Sequence, residues 1–250
     1  MSGLPESCVA TELSVVIPVC NEEANVLPLA REIAAACAGR SFEILFVDDG
    51  SDDDTANAVR RARDEIPEVR LLRHSRRSGQ SAAVHSGVRH ARADWIATLD
   101  GDGQNDPADI PALLRAGEQA RLTDPSVLLV MGNRTTRRDT WLRRLSSRVA
   151  NGVRGRMLGD GTPDTGCGLK VFQRATFLEL PYFDHQHRFV AALFQRHGAH
   201  VISVPVNHRP RTQGQSKYGL FNRLWVGIVD MFGVMWLRKR YKPGLSVREE

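Results

Sequence analysis

The sequence is short of lysine, paired cysteines, aromatic residues and long unbroken apolar runs, and each shortage removes a class of protein. Its four cysteines, Cys8, Cys20, Cys37 and Cys167, show no Cys-x-x-Cys spacing. That argues against a zinc ribbon or a disulfide scaffold and fits a reducing compartment. Aromatic residues make up only 6% of the chain, which gives no stacking platform for single-stranded nucleic acid. Residues 1–12 carry no basic stretch followed by an apolar core, so no secretory signal is predicted and a cytoplasmic location is expected. The longest apolar stretch, Leu220–Leu237, is broken by Asn222, Arg223 and Asp230. Three polar positions in about 18 argue against a membrane-spanning helix. Only four of the 34 basic residues are lysines, in a chain of 250 residues with a formal net charge of +5. Basicity built on arginine suits bidentate recognition of phosphate.

What is present alternates. Leu13–Val19, Phe42–Asp48, Val69–Leu72, Trp95–Asp100 and Val127–Met131 read as strands, and Glu22–Ala38, Thr55–Glu65, Gly79–Ala91 and Ala108–Arg121 as helices. Such alternation predicts an α/β fold with a mostly parallel central sheet and helices on both faces. Asn21 is the expected cap of the first helix, which Pro28 threatens to interrupt. Two of the strands run into acidic ends, Asp48-Asp49-Gly50-Ser51-Asp52-Asp53 and Asp100-Gly101-Asp102-Gly103-Gln104-Asn105-Asp106. Ligands of open parallel sheets sit beyond the carboxyl ends of strands, so both clusters point to one crevice. Carboxylates separated by one residue suit Mg²⁺ or Mn²⁺, a hard cation held by one or two carboxylates plus substrate phosphates. The competing reading is turn and cap chemistry, with Asp52 or Asp53 capping the next helix. Asp48 and Asp49 lie too early to cap that helix, which favours ligand contact.

The second half differs. A helix is expected from Trp141 to Leu158, a loop over Gly159–Pro163, a strand at Gly168–Phe172, a helix at Phe189–His197 and a strand at Val201–Val206. The stretch Arg209–Gly219 gathers cations, hydroxyls and glycines suited to gripping phosphate. Phe221, Leu224, Trp225, Ile228, Phe232, Met235 and Trp236 fall near one helical face, followed by Arg238-Lys239-Arg240-Tyr241-Lys242. An apolar face with a basic end describes a helix lying in a membrane interface, and equally one packed on a core or a partner. The expected organisation is a tail at 1–12, a catalytic domain at 13–219 whose halves are 13–132 and 133–219, and an amphipathic helix with a basic tail at 220–250.

Several motifs occur in a fixed order: Val16-Ile17-Pro18-Val19-Cys20-Asn21-Glu22-Glu23, Val47-Asp48-Asp49-Gly50-Ser51 and Leu99-Asp100-Gly101-Asp102-Gly103-Gln104 with Pro107. Then come Gly132-Asn133-Arg134, Ser147-Arg148-Val149-Ala150-Asn151, Asp164-Thr165-Gly166-Cys167-Gly168-Leu169-Lys170 and Arg211-Thr212-Gln213-Gly214-Gln215-Ser216-Lys217-Tyr218. In these the chain resembles the polyprenyl-phosphate glycosyltransferases, inverting enzymes of the GT-A fold that include dolichol-phosphate mannose synthase and undecaprenyl-phosphate sugar transferases. The resemblance implies a UDP- or GDP-sugar donor, a polyprenyl phosphate acceptor and a divalent metal, Mg²⁺ or Mn²⁺. It implies that Pro18, Asn21, Glu22, Asp48 and Asp49 line the nucleotide, that Asp102 is the direct metal ligand, and that Asp100 binds the ribose or the metal's water shell. Gln104 would touch the diphosphate or sugar, and Arg134, Arg148, Arg211, Ser216 and Lys217 the acceptor and leaving phosphates. Two stretches depart from the pattern: Cys167-Gly168-Leu169-Lys170, where many relatives carry an aromatic residue followed by arginine, and His185-Gln186-His187, where a carboxylate is frequent.

The charge distribution argues the same acceptor separately. A hydroxyl nucleophile needs a carboxylate base, whereas a phosphate monoester is largely ionised at pH 7, its second pKa being about 6. The second half is poor in carboxylates and rich in arginine, which suits a phosphate. The expected partners are thus the nucleotide sugar, the polyprenyl phosphate and the cytoplasmic face of a membrane, with a homo-oligomer or membrane-protein partner also open. The rival readings are a GT-A enzyme acting on a saccharide or protein hydroxyl with Asp164 as base, and a nucleic-acid-binding module, whose phosphates the acidic strand ends would repel.

Overall fold

The computed structural model describes residues 10–134, 155, 157–159, 161–210, 220–242 and 248. Seven strands form one sheet: β1 (Leu13–Val19), β2 (Phe42–Asp48), β3 (Val69–Arg73), β4 (Trp95–Thr98), β5 (Val127–Arg134), β6 (Lys170–Gln173) and β7 (His200–Val206). Their order is β3-β2-β1-β4-β6-β5-β7. All neighbours run parallel except β6, which is antiparallel to β4 and β5. Helices α1 (Glu23–Ala36), α2 (Thr55–Glu65), α3 (Gln80–His90) and α4 (Ile110–Thr123) make the crossovers of the first half. Helices α5 (Arg174–Glu179), α6 (Val190–Arg196) and α7 (Leu220–Arg240) belong to the second.

The central strands are apolar throughout because both faces are covered. In β1, Val15 and Ile17 join one buried layer with Val26, Leu29, Ala30 and Ile33 of α1, while Val16 joins the other with Ala83, Val84 and Val88 of α3. Adjacent β-carbons point to opposite faces, so a single strand serves both layers. Helix α3 lies so close to the sheet that a Cβ on Gly87 would stand 2.3 Å from Val16 Cγ1 and 3.1 Å from Val47 Cγ2. At the far end of the strands, the buried Glu43 accepts hydrogen bonds from Ser14 Oγ at 2.7 Å and Arg92 N at 2.7 Å. It also pairs with Arg70 Nη1 at 2.5 Å.

Several boundaries differ from expectation. Strand β4 stops at Thr98, paired with Lys170 of β6, because the chain must turn away there to form the Asp100 loop. Strand β5 continues to Arg134, since β7 pairs with it along its whole length. Helix α1 runs through Pro28 unbroken, held by its buried stripe on either side of the ring. Asn21 does not cap α1: Glu22 occupies that position, and Asn21 takes a left-handed φ of 58°. Of the helix expected over 141–158, only Gly155, Met157 and Leu158 lie among the described residues, and they are helical.

Helix α7 buries Val234 and packs Met231 and Met235 on the α6 side of the core. Arg196 Nε donates to the Leu237 carbonyl at 3.0 Å. Val229, Phe232 and Trp236 point outward, at 54%, 58% and 60% exposure. The expected apolar face is thereby rotated: Met235 belongs to the core and Val229 to the exposed stripe, because the helix rests on α6. Among the described residues, no helix is long and apolar enough to cross a membrane.

The close approach of α3 gives a direct test. Gly87→Ala gains up to about 1 kcal/mol of helix propensity, yet it forces a methyl into the centre of the sheet. Overpacking of this kind costs about 1–3 kcal/mol. Urea unfolding should show a lower midpoint at unchanged m-value, and an unshifted midpoint would show that α3 is free to lift.

Candidate active site

The strand order reverses between β1 and β4, where the crossovers change direction, and a crevice opens beyond the carboxyl ends of that pair. A cleft of about 510 Å³ lies there, lined by Pro18 of β1, Gln80 of α3, Asp100 after β4, Asp164 to Gly168, and Lys170 of β6. The loop after β4 is shaped by its own residues. Gly101 is required because a Cβ would meet Val19 Cγ1 at 2.7 Å and the Pro18 carbonyl at 3.0 Å, and Gly103 takes φ 73°. Buried Asn105 accepts from the Asp100 backbone N–H at 3.1 Å. Asp102 Oδ1 accepts from Gln104 N at 3.1 Å, and Asp106 caps the following short turn through Ala108 N at 3.0 Å.

The loop is also tied to the chain leaving β7. Arg209 N donates to the Gln104 carbonyl at 2.9 Å, Asn207 N to Asp109 Oδ2 at 2.7 Å, and Asn105 bridges His208. The Arg209 guanidinium spans Glu32 at 2.5 Å and Asp106 at 2.7 Å.

Asp100 is held from two sides. Gln80 Nε2 donates to its Oδ1 at 2.8 Å, and the Gly168 backbone lies against the other oxygen, 2.4 Å from where a Cβ would stand. Burial pushes the Asp100 carboxyl above the usual carboxylate range and neighbouring Asp102 adds to this, while Lys170 and Arg134 pull it down. Lys170 is itself buried and donates to the Cys167 carbonyl. Burial lowers its pKa against the opposing pull of Asp100, Cys167 and Asp164. Arg134, at the end of β5, donates to Asp164 through Nε at 2.6 Å and Nη2 at 2.8 Å, a bidentate pair that occupies both carboxylate oxygens.

The β2 cluster has other duties. Asp48 is fully buried, its Oδ1 accepting from Ser51 N at 2.9 Å and Ser51 Oγ at 2.6 Å, its Oδ2 lying 3.1 Å from Arg73 Nε. Asp49 accepts from Ser78 N at 2.8 Å and Gly79 N at 2.7 Å, just before α3, and meets His74 Nδ1 at 2.8 Å. Their distance from the α2 cap is thus accounted for by the turns that both carboxylates terminate. Asn21 Oδ1 accepts from Asp52 N at 2.9 Å, and Glu22 N donates to Thr55 Oγ1 at 2.9 Å. Asp53, not Asp52, accepts from Thr55 N at 3.0 Å. Of the nucleotide set, Pro18 and Asp100 line the cleft, while Asn21, Glu22, Asp48 and Asp49 form the knot beside it. Arg148, Arg211, Ser216 and Lys217 lie outside the described residues.

Residues that the sequence reading did not single out complete the cleft. Gln80 orients Asp100, Asn105 turns the loop, and Gln186 and His187 form part of the opposite wall. The only signal for that wall was the His185-Gln186-His187 departure from pattern. Among the described residues, no cluster of three or more His, Cys, Asp or Glu forms an all-protein metal cage. The Asp100 and Asp102 pair instead offers hard oxygen donors whose mutual repulsion a cation would relieve, a donor set suited to Mg²⁺ or Mn²⁺ shared with phosphates.

The profile of glycosyl transferase family 2 matches residues 14–180. A dodecaprenyl-phosphate galacturonate synthase of Rhizobium johnstonii is 35% identical over 249 residues, 97% of this chain and 72% of that protein. An undecaprenyl-phosphate 4-deoxy-4-formamido-L-arabinose transferase of Edwardsiella ictaluri is 35% identical over 212 residues, 83% of this chain. The chain spans 63% of that relative's length, somewhat under two thirds. In fold, the chain is similar to mannosyl-3-phosphoglycerate synthase of Rubrobacter xylanophilus, with TM-score 0.71 at 17% identity over 93% of this chain and 76% of that one. It is also similar to glucosyl-3-phosphoglycerate synthase of Mycobacterium tuberculosis in complex with Mn²⁺, UDP and glucosyl-3-phosphoglycerate, with TM-score 0.68 at 18% identity over 91% and 80%. These are GT-A glycosyltransferases, and their likeness is one of fold. The matched span, the identity to the Rhizobium synthase and the GT-A sheet together establish that the chain belongs to glycosyl transferase family 2, among its polyprenyl-phosphate sugar transferases.

Proposed function

We propose that this protein transfers a sugar from a UDP-linked donor to a polyprenyl phosphate, with inversion at the anomeric carbon. The observation that carries the reading is the wall facing Asp100: it holds Lys170 and an Arg134–Asp164 pair in which neither carboxylate oxygen is left over. A hydroxyl acceptor would need Asp164 as base, and Asp164 is committed to Arg134. A phosphate oxygen of the acceptor needs no base, being ionised already. It attacks the anomeric carbon, the bond from that carbon to the diphosphate breaks, and negative charge collects on the departing UDP.

Asp102 and Asp100 are the residues that would hold Mg²⁺ or Mn²⁺, which when bound supplies charge neutralisation at the diphosphate. Gln80 and Gly168 fix the Asp100 carboxylate, and Gln104 belongs to the same loop. Asn21, Glu22, Asp48 and Asp49 shape the nucleotide side, while Arg134, Arg148, Arg211, Ser216 and Lys217 supply cations and donors for the two phosphate-bearing substrates. The exposed Val229, Phe232 and Trp236 stripe, leading to Lys239, Arg240 and Lys242, supports attachment to an anionic membrane surface on the cytoplasmic side, where the lipid acceptor resides.

The deciding assay supplies labelled UDP- and GDP-sugars, Mg²⁺ or Mn²⁺ and undecaprenyl phosphate in detergent, and scores label in the organic phase. Label from a UDP-sugar is expected, and donor hydrolysis without lipid product across the panel would favour a hydroxyl acceptor instead. In that assay Asp102→Ala should lower turnover by about 10²- to 10³-fold, with an unchanged thermal unfolding curve. Wild-type turnover by this variant would remove the metal assignment.

Gly168→Ala would place a methyl against Asp100 Oδ2 and, at 2.7 Å, Asn105 Oδ1. A displacement of about 1 Å at a reacting group costs on the order of 10²-fold. Turnover should fall by that order while circular dichroism stays native. For the membrane surface, the Phe232→Ser/Trp236→Ser pair should release the protein from phosphatidylglycerol vesicles in a sedimentation assay, and unchanged pelleting would reassign the stripe.

A further inference from the structure

We propose that the turn Gln186–Arg188 reads the transferred sugar through two N–H donors, Gln186 Nε2 and His187 Nε2, and selects a sugar bearing a carbonyl-type oxygen. A carboxylate and an acylamido carbonyl both meet that description. The inference rests on the donor chemistry proposed above and adds to it the class of sugar.

Gln186 and His187 line the cleft that holds Asp100 and Gln80, so whatever is attached to the diphosphate lies within their reach. Gln186 is 1% exposed and its Nε2 has no hydrogen-bond partner. An unsatisfied buried amide donor costs about 1–3 kcal/mol, and groups of this kind in a folded protein call for a partner from outside. The turn that carries it is firmly built: Gln186 N donates to the Phe183 carbonyl at 3.2 Å, Phe189 N donates to the Gln186 carbonyl at 2.8 Å, and His185 takes a left-handed φ of 62°.

The proton on His187 follows from Ser81. Ser81 Oγ accepts the His187 backbone N–H at 3.2 Å and lies 2.8 Å from Nδ1, where the hydroxyl is assigned as the donor. With Ser81 as the donor to Nδ1, the ring proton sits on Nε2. Burial, with Lys170 and Arg188 nearby, pushes the His187 pKa down to about 3, so the ring stays an uncharged donor at any working pH. Two N–H donors beside the Lys170 ammonium suit an oxygen that only accepts. They offer nothing to an ammonium substituent, and less to a hydroxyl, which also needs an acceptor for its own proton.

The test measures binding and turnover of the full chain with UDP, UDP-galactose, UDP-galacturonate and UDP-N-acetylgalactosamine, in Mn²⁺ with undecaprenyl phosphate. Galacturonate or N-acetylgalactosamine should be preferred over galactose by at least about tenfold, and whichever is preferred names the source of the oxygen. Gln186→Leu and His187→Asn, the latter keeping a partner for Ser81, should each erase about tenfold of that preference while UDP affinity stays within twofold. His187→Gln, which returns an N–H at similar reach, should recover part of it. Equal use of all three sugars, or a matching loss of UDP affinity in the variants, would overturn the inference while the transfer reaction stands. Absence of UDP binding by the wild type would overturn the uridine reading and this one with it.

Discussion

The pairing of β1 with β2 on one side and β4 on the other is the constraint from which the site follows. Right-handed crossovers carry the chain outward through α1 and α2, and α3 then brings it back across the sheet. The carboxyl ends of β1 and β4 are left side by side. Antiparallel β6 next to β4 adds a second condition, because its amino end, Lys170, lies opposite Thr98 just before the Asp100 loop. Gly168 and Lys170 thus reach Asp100 from a part of the chain some seventy residues away, while Gln80 reaches it from the start of α3.

The carboxylates divide by what satisfies them. Glu43, Asp48 and Asp49 receive several hydrogen bonds or ion pairs from the protein, and burial of this kind fixes a turn or a strand end. Asp164 forms a bidentate pair with Arg134. Asp100 receives a side-chain donor from Gln80, and burial with a second acid nearby pushes its carboxyl above the usual range.

The central strands, their helices and the Asp-Gly-Asp loop were legible because they depend on local pattern: apolar runs, helical periodicity and glycine turns. The α5 helix and the exact ends of β4 and β5 were not, since pairing with distant strands sets them. Asp48 and Asp49 show the limit most clearly. The partners of Asp49 are anonymous backbone amides, Ser78 and Gly79, about thirty residues on, and Asp48 accepts from Ser51 and pairs with Arg73. A carboxylate at a strand end looks the same in sequence whether it receives the chain's own N–H groups or a ligand. Gln186 and His187 showed only as a departure from the family pattern, because neutral side chains on a short turn carry no periodic signal.

The stitching of Asn105, Gln104, Asp106 and Asp109 to residues 207–209 has a kinetic meaning. Loops that carry catalytic groups ordinarily belong to the least stable cooperative units of a protein and open often. Here the turn after β4 cannot detach without also releasing the exit from β7 and, through Arg209, the α1 residue Glu32. Its amides should therefore exchange with solvent on the slow timescale of the sheet, leaving the motions of turnover to other parts of the chain.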